Sequence, residues 1–109
     1  MSDGSKTLEK NKMTYSEFIH NCELMTDTKN LSISDDDFKV IELVYTFHPA
    51  ISETRGKEQI ALLYTTFGMT VINDMKPRAL KARELESKIA KARADYDSAM
   101  KEYNELKGN

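Results

Sequence analysis

Few side chains in this sequence are suited to chemistry. His20 and His48 are the two histidines, and Cys22 is the one cysteine among 109 residues. A zinc site needs several ligands at short spacing, and a nucleophile needs its base close by; neither pattern is written here. His48 stands before Pro49, where a helix must end, so its ring is expected to bind the last carbonyls rather than to act as a base. Asp35, Asp36 and Asp37 carry charge for calcium but lack the alternating ligands and central glycine of a calcium loop. Three acids in a row suit the first turn of a helix, where the dipole favours negative charge. The run Thr54-Arg55-Gly56-Lys57-Glu58 has a glycine and a lysine without phosphate-loop spacing. The sequence therefore predicts no catalytic, cofactor-binding or metal-ligating residues, no cofactor, and no enzyme.

Nucleic-acid binding has a basis in two places. The segment from Asp35 to Met75 reads as helix, turn and helix, with Arg55, Lys57 and Gln59 early in the second helix, where such motifs touch base edges. The loop after Pro49 is long for that motif. Residues 1–75 hold 7 basic and 12 acidic residues, whereas residues 76–109 hold 9 basic and 6 acidic. Phosphate contacts need net positive charge where they form, and the helix-turn-helix half is acidic. In the basic half, Lys76, Arg78, Lys81, Arg83, Lys88, Lys91 and Arg93 spread around a helix and read as a solvated face.

The strongest pattern carries no reactive group. Ala82, Leu85, Ile89, Ala92, Tyr96, Ala99, Tyr103 and Leu106 follow one another at alternating steps of three and four. This heptad spacing keeps apolar side chains on one side of a slightly underwound helix. Its alanines permit close approach, but the seam is weaker than a leucine zipper. The seam either pairs with another chain or packs back onto the third helix, whose stripe has similar chemistry; a mixture is expected, with its start on the body and its end pairing outward. Leu85, Ile89, Tyr96, Tyr103 and Leu106 are the candidate partner-binding residues.

The elements that position this seam follow from local signals. Residues 1–12 are polar and read as a flexible tail. Thr14-Tyr15-Ser16-Glu17 is a capping box, followed by the stripe Tyr15, Phe18, Ile19, Cys22 and Met25, fading near Asp27. Ser34 caps a second helix, apolar nearly all round, which Pro49 stops at or before His48; Val40 to Phe47, β-branched and aromatic, would also suit a strand, and the cap and acidic first turn favour the helix. Ser52 or Thr54 is expected to cap a third, with Ile60, Leu63, Tyr64, Phe67, Val71, Ile72 and Met75 as its stripe and Gly68 as a point of close helix approach. A break or kink is expected between Asn73 and Pro77, with the last helix running from about Pro77 to Lys107; a continuous helix kinked there is the alternative.

The predicted fold is all-α: a tail (1–12), a three-helix body (13–75) and a long C-terminal helix (76–109) with a coiled-coil-like seam. The expected function is a non-catalytic protein-interaction or oligomerisation protein, including a small regulator or inhibitor acting by contact. Its partner would be its own copy, as a homodimer, or another protein. The alternative is a dimeric helix-turn-helix-like DNA-binding regulator. With one cysteine and no apolar run of about 18 residues, the chain is expected in the cytoplasm and not in a membrane.

Overall fold

The computed structural model describes residues 12–51 and 54–108. Among these the chain forms four helices: α1 (Tyr15–Thr26), α2 (Asp35–Phe47), α3 (Gly56–Phe67) and α4 (Met69–Gly108). Three short helices followed by one long helix is the predicted all-α architecture. Residues 1–11, most of the predicted tail, lie outside the described residues, as do Ser52 and Glu53.

The start of α1 is set by reciprocal bonds. The Glu17 amide donates to Thr14 Oγ1 at 3.1 Å, and the Thr14 amide donates to Glu17 Oε1 at 2.9 Å. Met13 and Phe18 occupy the two positions of a hydrophobic staple around this cap, and both are fully buried. The helix ends at Asp27, which takes left-handed geometry at φ 54°, with its amide donating to the Glu23 carbonyl. The connection to α2 is tied at two points. Tyr15 Oη donates to the Ile33 carbonyl at 3.1 Å and accepts from the Ile33 amide at 2.9 Å. Glu23 Oε2 accepts from the Leu31 amide at 3.0 Å.

Helix α2 opens on the Ser34 cap, whose Oγ accepts from the Asp37 amide at 3.2 Å. Its faces are shared among neighbours. Ile41, Val44 and Tyr45 are buried. The Phe38 ring meets Tyr15 edge-on at 5.4 Å, and Phe18 meets Tyr64 at 5.5 Å. Helix α2 packs chiefly on the first turns of α4, and α1 packs chiefly on α3. One core joins Phe18, Cys22, Ile41, Val44, Ile60, Ile72 and Ala79.

Three local expectations need correction. Thr54 does not cap α3; Arg55 stands at the cap with no side-chain capping bond, and the helix begins at Gly56. Close approach belongs to Gly56, not to Gly68: a Cβ on Gly56 would lie 3.0 Å from Tyr45 Cε1, whereas one on Gly68 would meet nothing within 4 Å. Gly68 instead ends α3, at φ 71° and ψ −159°, a conformation almost closed to residues with a Cβ. The turn it makes leaves Phe67 exposed, although the spacing placed Phe67 in the core stripe.

The long helix therefore starts at Met69, and the break expected between Asn73 and Pro77 is absent: α4 runs through Pro77. An internal proline removes a backbone bond and crowds the preceding turn. Here Ile72 and Ala79, one on each side of Pro77, are both fully buried, so core packing on α2 spans the weak point. Gly68→Ala is expected to lower stability by about 1–3 kcal/mol through backbone strain. Pro77→Ala is expected to raise it by up to about 3 kcal/mol. Urea unfolding midpoints followed by helicity check both.

Candidate interaction surface

The seam grows out of a helix that is anchored at one end only. The described part measures 68 × 28 × 21 Å with a radius of gyration of 18.7 Å, against about 13 Å for a compact chain of this length. The excess is α4. Ala79 is fully buried and Ala82 half-buried. The Arg83 guanidinium lies over the Phe47 ring at 6.0 Å. Every residue from Arg83 to Gly108 is exposed. At 1.5 Å per residue the free portion is about 39 Å long.

The five predicted partner-binding residues all lie on this free portion. Leu85 is 44% exposed, Ile89 56%, Tyr96 64%, Tyr103 56% and Leu106 77%. Ala92 and Ala99 complete the stripe and are exposed as well. The seam does not pack back on α3, and only Ala82 at its start approaches the body. Met100 is exposed on the edge of the stripe; it breaks the three-four spacing, so the seam pattern passed over it.

The apolar face changes side as the helix leaves the body. Met75, Ala82, Ile89, Tyr96 and Tyr103 form one heptad column along its length. Within the body the apolar flank of that column is Ile72 and Ala79. That flank continues outward as Glu86, Arg93, Met100 and Lys107. Beyond Ala82 the apolar flank is the opposite one, Leu85, Ala92, Ala99 and Leu106, whose predecessors within the body are Arg78 and Val71, the latter packed against the core. The consecutive three-residue steps at Ala79, Ala82 and Leu85 make this switch. The outer stripe thus shares the Met75–Tyr103 column with the face that covers the core and turns to a different flank beyond Ala82.

The other candidate groups are engaged within the molecule. Lys57 Nζ lies 2.9 Å from Glu17 Oε2, Arg55 Nε 3.4 Å from Glu58 Oε1, and Gln59 Nε2 donates to the Ala50 carbonyl at 3.1 Å. These are the three side chains a DNA-reading helix would have presented, and α3 packs far less on α2 than on α1. The Thr14 amide and then Lys57 hold the Glu17 carboxyl below its usual range. His48 is buried at the end of α2, and its Nδ1 accepts from the Ala50 amide at 3.1 Å. The ring thus caps the following turn through Nδ1. An accepting Nδ1 places the ring proton on Nε2. Among the described residues no group of three or more His, Cys, Asp or Glu could hold a metal ion. None of the described helices is long and apolar enough to cross a membrane.

A shallow groove between α1 and α3, lined by Met25, Arg55, Glu58, Gln59 and Leu62, is the other apolar surface of note. Leu62 is missing from the sequence-derived stripe because it faces away from the core. No known protein family, no curated protein and no solved structure matches this chain.

Cys22 shows how closed the core is. The side chain is fully buried, and burial pushes its thiol up to about 11. The folded state holds this proton more tightly than the unfolded chain does. Stability should fall as pH rises from the free thiol's range, roughly 8.5, through about 11. At pH 8 a thiol reagent should label Cys22 slowly in the folded protein and fully in urea; rapid labelling without denaturant would contradict the closed core.

Proposed function

We propose that this is a non-catalytic interaction protein that pairs through the seam of its last helix, with its own copy or with a helix of another protein. The observation that carries this reading is the exposed apolar stripe from Leu85 to Leu106, which continues beyond the end of the core. Burying a leucine or isoleucine side chain contributes about 1.5–3 kcal/mol. A helix meant only to be solvated has no use for such residues in a heptad column. The alternating small and aromatic positions give close backbone approach with large flanking contacts, as a helix–helix interface requires. The role that fits is a small regulator or inhibitor acting by contact. The expected setting is the cytoplasm, which suits a chain with a single, buried cysteine.

The test is sedimentation of the wild type and of the Leu85→Asp/Ile89→Asp variant at tens of micromolar, with helicity measured in parallel. Neither side chain belongs to the core, so the body should stay folded while association weakens at least a hundredfold. Unchanged mass in an associated, helical variant would remove the seam as the interface. If the wild type is monomeric, wild type and variant serve as baits in a host extract. The reading fails if no protein is retained by the first and lost by the second.

A further inference from the structure

The seam also carries information about what lies across it. Resting on the reading of α4 as a contact helix, we propose that its partner is a second copy of this chain, bound antiparallel, with the two bodies at opposite ends of a paired shaft.

Side-chain volume gives the first argument. Reversing one helix about the middle of the seam sets Ala82 level with the partner's Leu106, Leu85 with the partner's Tyr103, Ile89 with the partner's Ala99, and Ala92 with the partner's Tyr96. All eight seam positions are used, and every alanine faces a large side chain. A parallel pair in register sets each residue beside its own copy. Layers of two alanines at 92 and 99 would then alternate with layers of two tyrosines at 96 and 103, and a third alanine layer would open the seam at 82. Helices pack at a near-constant separation and a filled interior, so small residues belong opposite large ones.

Charge gives the second argument, independent of the first. One flank of the seam reads Lys81, Lys88, Asp95 and Glu102, a basic half followed by an acidic half. Reversal brings Lys81 beside the partner's Glu102 and Lys88 beside the partner's Asp95. On the other flank, which reads Glu86, Arg93, Met100 and Lys107, it brings Glu86 beside the partner's Lys107. Each contact occurs twice by symmetry. The like charges that meet are at the two-fold axis, where Arg93 nears its copy on one flank and Asp95 its copy on the other. In the parallel arrangement each flank residue faces the opposite flank of the next heptad. There Lys81 meets the partner's Glu86 and Glu102 the partner's Lys107, but Lys88 meets the partner's Arg93, a like pair occurring twice, and Asp95 meets Met100, so the parallel form has two kinds of opposite pair against three in the reversed one.

The dimensions agree with both arguments. In the reversed pair the partner's Gly108 comes level with Leu80, where the first chain's body begins. The exposed length from Arg83 to Gly108 is therefore the length that a reversed copy covers.

Two measurements test the proposal. A spin label on Gly108→Cys reports distance by dipolar spectroscopy; Cys22, fully buried, does not compete for the label. The antiparallel dimer gives about 40 Å, from some 28 residues of offset at 1.5 Å each, and a parallel one gives less than about 20 Å. The second is Lys88→Glu, which should weaken self-association about tenfold, from two exposed pairs turned repulsive. Adding Asp95→Lys to the same chain should restore it. In a parallel dimer Lys88→Glu would tighten association, because it would face Arg93. A dimer with the short distance, or one strengthened by Lys88→Glu, overturns the orientation and leaves the contact reading intact. A wild type monomeric at 100 micromolar overturns the second copy as occupant, while the contact reading fails only if seam-dependent capture fails as well.

Discussion

The mismatch between the length of α4 and the size of the core beneath it governs the rest of this structure. The core reaches along the helix to Ala79, and the helix continues to Gly108. No other described element follows it, so its outer half receives no burial from its own body. Isolated helices are held by local terms of a few tenths of a kcal/mol, such as the Glu84–Lys88 pair at 3.8 Å. The apolar stripe along it must therefore meet water or meet something else. The shift of that stripe to a new flank at Ala82 separates the two roles of one helix: the inner turns seal the body and the outer turns present a surface.

Two glycines and one proline set where that division falls. Gly68 supplies the positive φ that lets α3 end and α4 start with hardly any loop. Gly56 lets the start of α3 press against the Tyr45 ring. Pro77 lies within the packed part of α4, where neighbours on both sides hold the helix together. Had the break occurred at Pro77, the shaft would have been hinged to the body. Its continuity joins the shaft to the core without a hinge.

Much of this was legible in the residues. The capping box at Thr14, the Ser34 cap with its acidic turn, and the stop before Pro49 are local signals, and the bonds that satisfy them form within a few residues. The seam from Ala82 to Leu106 was legible for the same reason, since periodicity alone defines a face. Less was legible at the joints. Gly68 and Pro77 each have two physical outcomes in a helical pattern, and the choice rests on partners distant in sequence. The stripe through Phe67, Val71 and Met75 read as one helix because its spacing survives the turn at Gly68.

The sequence by itself determined the helical class, the caps and the apolar seam, because hydrogen bonding and periodicity act over a few residues. Tertiary structure decided that α4 begins at Met69, that Phe67 turns outward, that Lys57 is bound to Glu17, and that the seam stands clear of the body. Those outcomes depend on which faces compete for one small core, and that competition is settled only when the helices are placed together.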